Sequence, residues 1–122
     1  MKRHITFIFL LLLLSCNKYS EKVSGNYNGQ MSINDSIISN SANISISEVS
    51  KKRISITSDF FPSYQLDIDR QRYFSSVTYF HEGDNLIDSD VLEIGETGDG
   101  LYLTLIHLGN IDNKYTFSGE RN

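Results

Sequence analysis

Val23-Ser24-Gly25-Asn26-Tyr27-Asn28-Gly29-Gln30-Met31-Ser32-Ile33-Asn34-Asp35 is the stretch that decides the fold. Val23, Gly25, Tyr27, Gly29, Met31 and Ile33 alternate with Ser24, Asn26, Asn28, Gln30, Ser32 and Asn34. A period of two puts every large apolar group on one face of a strand and the polar groups on the other. Asn34-Asp35 then offers the left-handed conformations of a tight turn.

Working outward, the same alternation recurs. Ala42, Ile44 and Ile46 mark a second strand, Ile54 and Ile56 a third, and Tyr64, Leu66 and Ile68 a fourth after the break at Pro62. Tyr73 to Phe80 reads as a fifth, with Phe74 and Phe80 at odds in parity with Tyr73, Val77 and Tyr79. Leu86 to Ile94 is a sixth, and Gly95 to Gly100 a turn. Leu101, Leu103 and Leu105 lead a seventh strand, Tyr115 and Phe117 an eighth. No segment has a 3.6 period, so no helix is available to cross between parallel strands. The expectation is all-β: about eight strands in an antiparallel meander, closed into a small barrel that removes the open edges. A two-sheet β-sandwich is the alternative. Polar outward positions are opposite to what a transmembrane barrel needs.

The chain has 122 residues, 39% of them apolar and 21% charged. Eleven of its 48 apolar residues crowd into the first 16 positions, leaving a thin supply for the body. Met1-Lys2-Arg3-His4 gives a positive start, and Ile5 to Leu14 an apolar run broken only by Thr6. Ten residues are half of the roughly 20 needed to span a bilayer, so the run reads as the helix of a secretory signal. Beyond Arg3 there are nine basic and 15 acidic side chains, a net of −6. That balance argues against nucleic acid or a polybasic membrane patch as partner. The expected organisation is a signal peptide (1–15), a cysteine with a polar tether (16–22) and one domain (23–122). Cys16 is the only cysteine, so no disulfide can form within the chain.

Leu13-Leu14-Ser15-Cys16 resembles a bacterial lipobox. That resemblance implies cleavage before Cys16 and acylation of its thiol, several chains together giving a stable membrane anchor. It also implies a lipid-anchored protein of the bacterial cell envelope, with the outer membrane as the expected site. Gly25-Asn26-Tyr27-Asn28-Gly29, taken with Tyr115-Thr116-Phe117-Ser118-Gly119, resembles the small lipocalin-like (calycin-like) lipoproteins of Gram-negative bacteria. Lipocalins open their first strand with Gly-x-Trp and pack a basic residue over that tryptophan. The resemblance therefore implies a barrel-closing role for Gly25, for Tyr27 in the tryptophan's place and for Arg121 as the basic partner.

Side chains for chemistry are sparse. His81 lies beside Glu82-Gly83-Asp84-Asn85, a turn by composition, whereas His107 shares parity with Leu101, Leu103 and Leu105 and faces inward near one barrel end. Asp67/Asp69 and Asp88/Asp90 are carboxylate pairs on common strand faces, short of the ligand count of a calcium loop. Lys51-Lys52-Arg53 is the one basic cluster, at a hairpin tip. Phe60, Phe61, Tyr64, Tyr73, Phe74, Tyr79 and Phe80 supply bulk to fill the interior. Tyr64, Tyr73, Tyr79 and His107 are the candidates for lining a mouth that takes a small apolar ligand. No nucleophile motif, metal set or cofactor motif is present, so the expectation is a non-catalytic protein without cofactor. Two roles follow: a module binding a small apolar ligand or envelope component, or an interaction protein such as an envelope hydrolase inhibitor or immunity lipoprotein.

Overall fold

The computed structural model describes residues 19–73, 76–82, 90–98, 100–110 and 113–122. Cys16 and the leader, Phe74, and residues 83–89 with Leu86 and Asp88 lie outside them. A short helix α1 (Tyr19–Val23) is followed by strands β1 (Gly25–Ile33), β2 (Ser36–Ser50), β3 (Arg53–Ser58), β4 (Tyr64–Asp67), β5 (Asp69–Tyr73), β6 (Ser76–Glu82), β7 (Val91–Thr97), β8 (Gly100–Asn110) and β9 (Asn113–Arg121). All neighbouring pairs are antiparallel, in the order β4-β3-β2-β1-β9-β8-β7-β6-β5. First and last strands pair, Tyr27 opposite Arg121 and Ile33 opposite Tyr115, so the meander wraps into a nearly closed barrel.

Nine strands stand where eight are expected because one is divided. Tyr64 to Tyr73 is continuous but for Ile68: its first part bonds to β3, its second to β6. The two free edges of the sheet are therefore consecutive pieces of chain. Two bonds secure this seam. The Ile68 amide donates to the Lys52 carbonyl at 2.7 Å, and His81 Nδ1–H donates to the Asp67 carbonyl at 2.7 Å. Each bond satisfies a backbone group that has left the ladder.

The alternation delivers one core. Tyr27, Met31, Ile44, Ile46, Ile54, Ile56, Ile68, Leu92, Ile94, Leu103, Leu105 and Phe117 are fully buried and belong to a single cluster. Side chains lining a void large enough for water would keep accessible surface. These have none to speak of, so among the described residues the middle of the barrel is filled by its own side chains, as a narrow cylinder permits. Aliphatic residues with Tyr27 and Phe117 provide most of the filling. Of the aromatic group between residues 60 and 80, Phe61 and Tyr79 are buried, and Phe60, Tyr64 and Phe80 only partly.

Local differences from the sequence expectation have local causes. Val23 ends α1 instead of opening a strand, and Tyr19–Lys22, expected as polar tether, fold as its first turn. Ser20 and Val23 of that turn are buried. The fifth strand begins at Ser76, with Tyr79 inward opposite Ile94. His81 lies on that strand opposite Leu92, not in a turn. Gly95 to Thr97 continue β7 where a turn is expected, because Gly95 pairs with Tyr102. At the β1–β2 hairpin, Asn34 and Asp35 both have positive φ (50° and 68°), the pair required by a two-residue turn that matches strand twist.

Candidate functional site

Following the strands fixes two barrel ends. At one, α1 meets the β2–β3 hairpin (Lys51, Lys52) and the chain's last residues. At the other lie the β1–β2 turn, residues 59–63 and the start of β9. The far end holds a cluster around His107. Its imidazole stacks on Tyr64 (centroids 4.1 Å, interplanar 16°), with Phe61 at 4.6 Å and Tyr115 at 6.0 Å. Asp90, 8% exposed, lies immediately before β7. Its Oδ2 accepts from His107 Nδ1 at 2.6 Å and its Oδ1 from the Leu108 amide at 2.9 Å.

Burial pushes the Asp90 carboxyl up. Hydrogen bonds from His107 and the Leu108 amide, the charge on His107 and the Tyr64 hydroxyl outweigh that and hold it below its ordinary value. An ionised carboxylate only accepts, so the proton in this bond sits on His107 Nδ1. An aspartate-oriented histidine is the geometry of a general base. Here, however, the imidazole is packed among three rings, and its described bond goes to Asp90. The cluster acts as an aromatic wedge that seals the far end, pinned to β7 by one buried carboxylate.

The tether end is closed differently. Tyr27, with no exposed surface, donates its hydroxyl to the Val23 carbonyl at 2.7 Å, and burial raises its pKa to about 12, with Arg121 acting the other way. Arg121 Nη1 donates to the carbonyls of Lys22 (2.9 Å) and Ser24 (3.2 Å), which ties the last strand to the end of α1. Its methylenes run so close to Gly25 that a Cβ there would lie 2.8 Å from Cδ. Gly25 also has φ of +144°, which side chains rarely adopt. Ser20 adds a backbone bond to Lys51 at 3.1 Å and a hydroxyl bond to the Ser50 carbonyl, docking α1 on the hairpin.

The four mouth candidates do not converge. Tyr64 and His107 are stacked at the far end. Tyr79 lies toward the tether end against Tyr19, centroids 6.2 Å apart, where burial first and Glu96 second raise its hydroxyl's pKa. Tyr73 ends β5, opposite Ser76. Of the acidic candidates, Asp67 accepts from Arg53 (2.8 Å), Asp69 faces Lys52 (3.8 Å) and Asp90 is the buried partner of His107, while Asp88 lies outside the described residues. Among the described residues no group of histidine, cysteine or acidic side chains is placed to hold a metal. Sequence reasoning passed over Asp90's pairing with His107. The sign available was parity: Asp90 shares the inward face of Leu92 and Ile94, as His107 shares that of Leu103 and Leu105.

Acidic and basic side chains mix at the end that carries α1, where Glu21, Glu48, Asp67, Asp69, Glu96 and Glu120 accompany the cations. Lys22, Lys51, Lys52, Arg53, Arg70, Arg72 and Arg121 lie toward the tether end, and Lys114 is the only described basic residue at the other. Asp35 and Asp59 are exposed at the far end, where Ile37 (59%), Ile38 and Leu108 are also open to solvent.

Fold and site together define an all-β protein of the nearly closed, antiparallel barrel class, compatible with a lipocalin-like barrel. No family model matches the chain, and no curated protein or solved structure matches it either.

Proposed function

We propose that the chain is a lipid-anchored, non-catalytic lipoprotein of the bacterial outer membrane, a lipocalin-like barrel that docks a protein partner on the end opposite its tether. The filled interior carries this reading. An apolar ligand would have to displace side chains that already reach interior density, whereas the far end offers exposed isoleucines beside acidic groups. A cationic partner, such as a hydrolase to be inhibited, is complementary to that end and would be steered to it. Removal of the thiol in Cys16→Ala leaves an uncleaved, unacylated precursor, read directly as protein mass.

Photo-crosslinking residues placed at Ile37 and Leu108 test the docking. Adducts with one protein from these positions, and none from exposed Val49 near the tether, are the expected result. An apolar compound that co-purifies stoichiometrically and protects core amides from exchange would return the role to ligand binding.

A further inference from the structure

Net charge argues against a basic membrane patch, yet at the end that carries α1 several cations gather locally. Tyr19 is the centre of that cluster. The Lys52 ammonium lies 5.4 Å and the Arg70 guanidinium 5.0 Å from its ring centroid. Beside it is an open notch of about 580 Å³ lined by Tyr19, Ser50, Lys51 and Lys52. Lys51 and Lys52 form the exposed tip of the β2–β3 hairpin, and that tip is locked to α1 through Ser20. The cations are therefore presented by a fixed platform. Asp69 faces Lys52 at 3.8 Å with both side chains largely exposed, a pair that water screens and that leaves the ammonium available.

Distance from the anchor adds the second argument. Three residues of chain lead from Cys16 to Tyr19, a reach of about 10 Å at full extension. A lipid on Cys16 would consequently hold the Tyr19 platform within about one Debye length of the headgroups, where attraction between basic residues and anionic phosphate is strong.

We propose that the Tyr19–Lys51–Lys52–Arg70 face is a second membrane contact, binding the phosphates of anionic lipid headgroups. This rests on acylation of Cys16. The lipid supplies attachment and the basic face supplies orientation: the barrel stands on its tether end, and the far end with Ile37 and Leu108 points away from the bilayer.

The test is amine acylation of the intact, purified lipoprotein in vesicles, with lysines quantified by mass spectrometry. In vesicles containing phosphatidylglycerol, Lys51 and Lys52 should react roughly fivefold more slowly than in pure phosphatidylcholine, the factor expected per basic residue at an anionic surface. Lys114, at the far end, should react equally in both, and high salt should abolish the difference. If Lys51 and Lys52 react alike in the two membranes, the orientation proposal fails while the anchor stands. If inorganic phosphate protects them equally in phosphatidylcholine vesicles, the site belongs to free phosphate and the membrane contact is overturned. A purified protein without added acyl mass overturns the anchor, and this proposal with it.

Discussion

Gly29→Ala should open the barrel at the pairing of first and last strands. Gly29 lies directly opposite Gly119 across the β1–β9 ladder. A Cβ on Gly29 would fall 2.0 Å from the Ser118 carbonyl oxygen and 2.5 Å from Gly119 Cα, against the 3.0 Å that real Cβ atoms respect. Both obstacles are backbone, so no rotamer change relieves them, and the strands must part by about 1 Å. That stretches the adjoining ladder bonds past good geometry. Two weakened bonds at about 1 kcal/mol each, with the strain of the displaced strand, give a loss of about 3 kcal/mol. For a domain near 100 residues, each kcal/mol moves Tm by about 4–8 °C, so a fall of roughly 10–20 °C is expected. Thermal melts followed by far-UV circular dichroism, with urea midpoints beside them, read the change. Gly95→Ala is the counterpart: its Cβ meets nothing within 4 Å. Losing a flexible glycine from the unfolded chain should leave it neutral or up to about 1 kcal/mol more stable. A Gly29→Ala protein melting within about 2 °C of wild type, or a Gly95→Ala protein losing as much as it does, would refute the close-approach reasoning.

Three further outcomes follow from the two closures. The folded-state pKa of Tyr27, about 12, lies above its ordinary 10.0, so its contribution to stability is complete below pH 10 and is lost as pH rises through 12. Tyr27→Phe should flatten that alkaline decline and cost about 1 kcal/mol at neutral pH for the lost bond to Val23, both read from urea midpoints against pH. Asp90 has the opposite sign: its depressed pKa contributes stability above the ordinary 3.8 that disappears as pH falls through the folded value. Asp90→Asn should remove this acid dependence and cost about 1.5–3 kcal/mol at pH 7, measured the same way. Arg121→Lys should fail to keep both bonds to Lys22 and Ser24, because an ammonium lacks the guanidinium fork; hydrogen exchange in α1 should quicken about tenfold, and an unchanged rate would remove Arg121 from the closure.

The strands were legible because parity is a local signal with a physical cause. Ile44, Ile46, Ile54 and Ile56 each sit between polar neighbours, and only one face can be dry. Their burial follows without knowing which strands pair. The break at Ile68 was hidden for the same reason: exchange of partner from β3 to β6 leaves in-and-out alternation intact through Leu66 and Ile68. A five-residue helix is too short to show a helical period, so Tyr19–Lys22 passed for tether and Val23 for the opening of a strand. His81 was assigned to a turn by its neighbours Gly83 and Asp84, whereas its place is set by hydrogen bonding to Leu92's strand. The Asp90–His107 bond joins residues 17 apart, and parity, which turns both inward, does not say that they meet. The cation cluster around Tyr19 was likewise invisible in the sum of −6, since it depends on which strand ends lie together.

Pairing β1 with β9 has a consequence for how this protein is made. Tyr27 must wait for Arg121, the last residue but one, before its strand gains its second neighbour. Contacts so remote in sequence form slowly, because the chain must close a large loop before they repay it. While the chain is being made, β1 therefore has its ladder groups on that side exposed, a strand edge open to wrong partners until β9 arrives. A truncation that removes only β9 would prolong that state indefinitely, leaving every earlier hairpin able to form and the cylinder unable to shut.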